Sequence, residues 1–276
     1  MQIQPRRNAN RIVGPSRAFT LIEVITVIAI IGLLVAIMLP AVQATRETAR
    51  RSTCQVNLRN QALAVNLFVD GERCFPAGCV GTRALHHSWC SKILPFLEQN
   101  ALAEKFDWNK PWDDPGGNRE VAQNSLSVFR CPSSLYEAPG DIDYGGIIGS
   151  GATGAGPHDI FRNGILKIVN TRDSVMVRPT DVIDGLSYTI LIGESADRDE
   201  IDHGKWADGW NCMYSGGTVN AEYGELASHH PRGIHVAMAD GSVRFLVETT
   251  ARNVVGALCT RNGCERVDED SLNGET

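Results

Sequence analysis

Glu23 is the one carboxylate inside an apolar run of 21 residues, Phe19–Leu39 (FTLIEVITVIAIIGLLVAIML), and Pro40 follows directly. A charged side chain in hydrocarbon costs about 2.5–3.5 kcal/mol even on the lower of the disputed scales, so a lone acid there needs a partner or a purpose. An ammonium group from a neighbouring chain at the same depth would offset much of that cost. It would also stabilise one axial offset between two helices over the others. The blander account is a protonated Glu23 near the interface, snorkelling toward headgroups.

Other groups of reactive residues carry weaker signals. His229, His230, His235 and Asp240 cluster in sequence. They could ligate a metal, but the simpler reading is that His230 orders the mouth of a hairpin while Asp240 makes its turn, bonding its own backbone. His86-His87 reads as an exposed loop. Gly149-Ser150-Gly151-Ala152-Thr153-Gly154 matches G-x-G-x-x-G, yet Gly156-Pro157 breaks the helix that a phosphate-binding turn requires. Ser187, His230 and Asp240 have no spacing that favours a triad. No G-x-S-x-G, H-E-x-x-H or P-loop occurs, so neither an enzyme nor a cofactor is expected. Trp89, Trp108, Trp112, Trp206 and Trp210 could stack on sugars, although tryptophans in a domain of this size more often serve the core or its edge.

All eight cysteines, Cys54, Cys74, Cys79, Cys90, Cys131, Cys212, Cys259 and Cys264, lie beyond the apolar run. An even count in an exported domain suggests disulfides. Cys74/Cys79 and Cys259/Cys264 are close in sequence, and Cys54 and Cys131 are further candidates. Buried free thiols remain the alternative. Zinc is the weaker reading, because no C-x-x-C pair or regular Cys/His ladder is present.

These groups need elements to position them. Residues 1–18 contain Arg6, Arg7, Arg11 and Arg17 and no acid, a short basic leader. Within residues 19–40, the run Phe19–Leu39 spans about 31 Å as a helix, enough to cross the hydrocarbon core. A secretory signal peptide cut after Ala44 and a plain membrane anchor are the two simpler accounts. Arg46, Arg50 and Arg51 follow the span, so charge alone does not orient it. Residues 41–69 continue as an amphipathic helix: apolar residues recur at Val56, Leu63 and Leu67, and at Leu58, Ala62, Val65 and Val69. Asp70-Gly71 should stop it.

Residues 70–276 are long enough to bury one core. Short helical stretches are expected at Trp89–Phe96, Gln99–Phe106 and Val121–Phe129. The glycine-rich stretch from Tyr144 to Pro157 reads as an exposed loop. Strands are expected at Gly164–Val169, Val175–Val177, Thr189–Ile192, Ile234–Met238 and Val243–Val247. Asp240-Gly241 between the last two is a two-residue hairpin signal, with Val243, Phe245 and Val247 facing the core. The chain carries 32 acidic against 26 basic side chains, an excess concentrated beyond the leader, which does not suggest nucleic acid.

Ala18-Phe19-Thr20-Leu21-Ile22-Glu23 resembles the processing and methylation site of type IV prepilins and type II secretion pseudopilins. The resemblance implies a prepilin peptidase cutting between Ala18 and Phe19 and methylating the new N-terminus. Ala18 stands where these proteins usually have Gly. It also implies that Glu23 meets a neighbour's N-terminal amine during assembly, and that Pro40 is the helix-kinking proline. Further on come Cys54 with Asn57-Leu58-Arg59-Asn60-Gln61, Ile93-Leu94-Pro95-Phe96-Leu97-Glu98-Gln99, Cys131-Pro132-Ser133, Asp181-Val182-Ile183-Asp184-Gly185-Leu186-Ser187, and His230-Pro231-Arg232-Gly233 running to Asp240-Gly241. This ordered set resembles a large bacterial family of prepilin-like proteins with a head of unknown function and an H-x9-D-G signature; Arg232 stands where Gly is usual. Some pseudopilin heads bind calcium in an acidic loop, which makes Asp197, Asp199 and Asp202, with Glu200, calcium candidates. Ile201 replaces a ligand of the EF-hand pattern, so a solvated loop is the default.

The expected fold is α+β, with a long pilin-type helix whose first half is transmembrane, and a mixed head with an antiparallel sheet. The expected role is a pseudopilin-like membrane-anchored assembly or surface protein. A glycan- or peptide-binding head on a pilin-type anchor is the alternative. Its expected partners are a prepilin peptidase, the inner membrane, copies of itself or other pilin-like subunits, and secretion machinery. The expected topology is single-pass in the inner membrane, with the N-terminus cytoplasmic and the head periplasmic or extracellular.

Overall fold

One helix, α1 (Leu21–Glu72), carries both the apolar run and the amphipathic stretch after it. The computed structural model describes residues 20–80, 86–135, 137–150, 163–169, 175–196, 204–215, 219–220, 226–264 and 267. The chain divides into two compact units, Met1–Glu47 and Thr48–Thr276.

In the first unit α1 starts at a capping box. Thr20 Oγ1 accepts from the Glu23 backbone N–H at 3.4 Å, and Glu23 Oε2 accepts from Thr20 N and from Thr20 Oγ1, both at 2.8 Å. The helix continues through Pro40. The large apolar side chains from Leu21 to Val42 are exposed, so this segment is long and apolar enough to cross a membrane and buries none of that surface within the chain.

In the second unit, α1 buries a stripe containing Cys54, Asn57, Leu58, Gln61, Ala62, Val65 and Val69. The period of three to four predicted a buried face, and Leu58–Val69 supplies it. Val56, Leu63 and Leu67 are on the exposed side. The helix runs through Asp70-Gly71 to Glu72 and ends where Arg73 turns left-handed (φ 62°), its N–H bonding Val69 O at 2.8 Å.

After α1 come β1 (Cys79–Val80), β2 (His87–Ser88), α2 (Trp89–Ile93), α3 (Asn100–Ala103), α4 (Asn118–Ala122), β3 (Tyr144–Ser150), β4 (Ile168–Val169), β5 (Ile190–Glu194), β6 (Cys212–Ser215), β7 (Gly233–Met238), β8 (Val243–Val247) and α5 (Arg252–Leu258). A small sheet has the order β2-β1-β4 and the main sheet β6-β3-β5-β7-β8. In the main sheet only β3 and β6 pair in parallel. Alternation sends the side chains of β7 to two cores. Ala237 packs with Leu58, Val65, Trp89 and Trp206, whereas Ile234, Val236 and Met238 pack with Leu246, Val255 and Leu258.

Several expectations change here. Residues 144–150 of the glycine-rich stretch are not an exposed loop: they form β3, a wholly buried inner strand. The reason is space, since a Cβ on Gly146 would stand 2.5 Å from Leu166 Cδ1. β6 was not expected at all. Residues 175–177 form no strand, although Val177 O accepts from Phe75 N; of Gly164–Val169 only Ile168–Val169 pairs. Val121–Phe129 is not one helix but α4 followed by a 3-10 turn at Ser127–Phe129. The hairpin forms, but its link is three residues, Ala239-Asp240-Gly241, closed by Met238 N to Ser242 O at 2.8 Å with Gly241 left-handed (φ 88°). In β8 the fully buried residue is Leu246, while Val243, Phe245 and Val247 are half-buried, because the sheet packs on both faces.

Candidate functional site

The strand registers build a row across the main sheet. Tyr144 on β3 pairs with Glu194 on β5, Gly193↔Val236 sets Glu194 opposite His235 on β7, and His235 pairs with Phe245 on β8. Directly opposed residues in a ladder share a face. Glu194 Oε2 accepts from His235 N at 2.8 Å, and Oε1 lies 3.2 Å from His235 Nδ1. The His235 ring meets Phe245 edge-on, with centroids 5.0 Å apart. The Arg51 guanidinium of α1 covers Phe245 at 4.4 Å, and its Nη2 donates to Pro231 O at 2.6 Å.

Three more side chains close over Glu194. Cys54 comes from α1. Cys131 follows the Ser127–Phe129 turn, which α1 holds directly: Asn57 Nδ2 donates to Ser127 O (3.2 Å) and Arg130 O (2.9 Å), and Gln61 Nε2 donates to Val128 O (2.7 Å). Asp143 accepts from Cys131 N at 2.6 Å. His230 comes from the segment before β7, its backbone N–H held by Ser228 Oγ. Cys54 Sγ lies 2.8 Å from Cys131 Sγ, Cys131 Sγ lies 3.4 Å from His230 Nε2, and His230 Nε2 lies 3.6 Å from Glu194 Oε1. The four donor atoms all lie within 4.8 Å of one another, and all four residues are buried.

The electrostatics separate the two thiols. Cys54 donates to Cys131, and with His230 this lowers the Cys131 thiol below the usual thiol range against the opposing effect of burial. The same contact and burial push Cys54 upward. Burial holds the Tyr144 hydroxyl, which bonds Cys54, well above the usual phenol range. Burial also raises Asp143 to about 7 despite Arg130 beside it. The site therefore offers one thiolate-prone sulfur, a second thiol, an imidazole and a carboxylate out of contact with water. Such a set can ligate a cation or hold protons.

The residues expected from sequence distribute unevenly. Ala18, Phe19 and the calcium candidates Asp197, Asp199 and Asp202 lie outside the described residues. Glu23 sits at the capping box and Pro40 inside α1. His230 joins the buried cluster, while Asp240 serves the turn, accepting from Ser242 N (2.8 Å) and Ser242 Oγ (2.6 Å), beside the left-handed Gly241. Of the cysteines, Cys54, Cys79, Cys131 and Cys259 are buried, Cys74 is half-buried, and Cys264 is exposed with its N–H on Asp184. His87 is buried rather than in an open loop, packed against Phe106 and Trp108. Trp89 and Trp206 are core, and Trp108 and Trp210 are partly exposed. Sequence reasoning missed Glu194, which belongs to none of the quoted motifs. Cys54, Cys131 and His230 each belong to one, and that shared membership was the available signal that they meet.

Comparison with known proteins yields two family matches. Residues 43–218 and 202–253 match the family described as "Protein of unknown function (DUF1559)", and residues 15–39 match the "Prokaryotic N-terminal methylation motif". No curated protein and no solved structure matches.

Proposed function

We propose, from the premise that this chain belongs to the DUF1559 family and bears a prokaryotic N-terminal methylation motif, that it is a pilin-like subunit whose assembly is set by Glu23. The motif marks a pilin-type protein processed by a prepilin peptidase, and the apolar half of α1 is its membrane anchor. In the finer reading, the peptidase cuts after Ala18 and the new Phe19 amine of one subunit neutralises Glu23 of another. The anchor lies in the inner membrane and the head is displayed on its outer side. Calcium at Asp197, Asp199 and Asp202 is not part of this reading.

The single observation that carries it is Glu23 itself. It is an acid at the third position of a helix whose large apolar side chains are exposed around it. Such a surface needs lipid or other helices to cover it. An ionised acid on it favours whichever neighbour brings a cation to the same depth.

The capping box offers a rival purpose for Glu23, and one pair of variants separates the two. Glu23→Gln keeps an acceptor for Thr20 but removes the charge, whereas Glu23→Ala removes both. Two differently tagged copies are expressed with the peptidase, and their co-purification from membranes is measured. If the charge sets register, Glu23→Gln should lower co-purification about 10–100-fold, the equivalent of a lost interaction of roughly 1.4–2.8 kcal/mol. Co-purification of Glu23→Gln at the wild-type level, with loss only in Glu23→Ala, would leave Glu23 as a helix cap and refute the register role.

A further inference from the structure

We propose that Cys54, Cys131, His230 and Glu194 bind one zinc ion in a closed, four-ligand structural site that ties α1 to the main sheet. The inference does not depend on how the anchor assembles.

The first support is convergence. The four donors come from four separate parts of the second unit: α1, the segment after the Ser127–Phe129 turn, β5, and the segment before β7. Cys54 and Cys131 are 77 positions apart, and Cys131 and His230 are 99 apart. Nothing local brings them together. A closed, buried quartet of one ligand atom each is the arrangement of a structural metal site.

The second support is distance. With Zn–S near 2.3 Å and Zn–N or Zn–O near 2.0–2.1 Å, tetrahedral geometry separates a sulfur from a nitrogen by about 3.5 Å, and a nitrogen from an oxygen by about 3.3–3.4 Å. Cys131 Sγ to His230 Nε2 is 3.4 Å, and His230 Nε2 to Glu194 Oε1 is 3.6 Å. Two zinc-bound sulfurs stand about 3.8 Å apart. The thiols, at 2.8 Å, must separate by about 1 Å when the ion enters. That is a rotamer adjustment of two side chains, not a change of fold.

The third support is charge and outer-shell order. A carboxylate buried among thiols needs a cation. Glu194 already has its orientation fixed by two contacts from His235, the backbone N–H on Oε2 and Nδ1 on Oε1, and Oε1 also faces His230. Hydrogen-bonded carboxylates and oriented imidazoles are the usual second shell of a metal ligand set. Arg51, through Pro231 O, closes the segment that carries His230. Two sulfurs, one imidazole and one carboxylate suit zinc, whereas calcium and magnesium take oxygen ligands. Binding would release the thiol protons of Cys54 and Cys131 to solvent, giving two thiolates and a carboxylate around a dication. A disulfide between the two cysteines would instead need an oxidant and would remove both sulfur ligands.

The test uses the full mature chain, extracted from membranes in mild detergent without chelator or reductant and then equilibrated with zinc and desalted. Metal is measured by plasma mass spectrometry, and thiol state by peptide mass mapping without reduction. One zinc per chain with Cys54 and Cys131 unlinked is expected. Replacement by Co2+ should give a thiolate-to-cobalt charge-transfer band and the visible bands of tetrahedral cobalt. Glu194→Gln and His230→Ala should weaken zinc retention at least about tenfold. If either variant fails to fold, the wild-type stoichiometry and cobalt spectrum still decide. A Cys54–Cys131 linked peptide accounting for the purified chain, or no stoichiometric zinc after equilibration, overturns the proposal. So does an octahedral cobalt spectrum without a charge-transfer band.

Discussion

Gly146→Ala probes the tightest point of the inner strand β3. A Cβ at this position would lie 2.5 Å from Leu166 Cδ1, 2.9 Å from Trp89 Nε1 and 3.2 Å from Trp89 Cδ1. Carbon contacts normally sit at about 3.5–4.0 Å, so Leu166 must retreat by about 1 Å. It has nowhere to go, since Leu166 and Trp89 are both fully buried. Trp89 is also pinned, its Nε1 donating to Asn211 O at 2.9 Å. Overpacking of this kind costs about 1–3 kcal/mol, against which removing a strand glycine returns about 0.5–1 kcal/mol. With both neighbours fully buried the cost falls in the upper half of that range, about 2–3 kcal/mol, and the net loss is about 1–2 kcal/mol. For the unit Thr48–Thr276, with an unfolding entropy of about 2.1 cal/mol/K per residue, Tm should fall by about 2–4 °C. All five tryptophans lie in this unit, so their fluorescence in detergent reports the transition. Leu166→Ala alone should cost about 2–5 kcal/mol, but the double variant should cost about 1 kcal/mol less than the two singles added, because the clashing methyl is gone. A Gly146→Ala protein melting within about 1 °C of wild type, or strict additivity with Leu166→Ala, would refute the packing argument.

Two other outcomes follow from backbone strain and from burial. Arg232 holds φ 74°, a conformation that costs an L-residue about 1 kcal/mol and glycine almost nothing. Arg232→Gly should therefore raise the urea midpoint by the equivalent of roughly 0.5–1 kcal/mol, and a lower midpoint would mean that the Arg232 side chain contributes more than its backbone costs. His87 has its pKa lowered from 6.5, chiefly by burial, and among the described residues its Nδ1 has no partner. The unfolded chain then takes up the proton first as pH falls. The His87 contribution should be flat above about pH 6.5 and should shrink stability below it, down to the folded value. His87→Phe should flatten the fall in Tm between pH 7 and pH 5, and an unchanged slope would remove His87 from the account.

How much was legible depended on whether the signal was local. The apolar run and the helix from Leu58 to Val69 are contiguous patterns, and a single helix covers Leu21–Glu72. The Ile234–Met238 and Val243–Val247 strands were readable because alternation and a turn glycine lie within a dozen residues. The capping role of Glu23 was also legible, as Thr-x-x-Glu ahead of an apolar run. The glycine-rich segment misled for a physical reason. Glycine marks a loop when backbone freedom is wanted and marks a buried strand when neighbouring side chains occupy the space of a Cβ. Only the positions of Leu166 and Trp89 distinguish the two at Gly146.

By itself the sequence determined an apolar run long enough to cross a membrane, an N-terminal methylation motif and a unit rich in cysteine, because each rests on composition or on residues a few places apart. The tertiary structure decided the rest. Strand order and register set Tyr144, Glu194, His235 and Phe245 in one row, and α1 lays Cys54 and Arg51 across its ends. A site whose members lie 77 and 99 positions apart exists only once the sheet has closed and the helix has docked, since nothing in a short window of sequence encodes which strand will lie beside which.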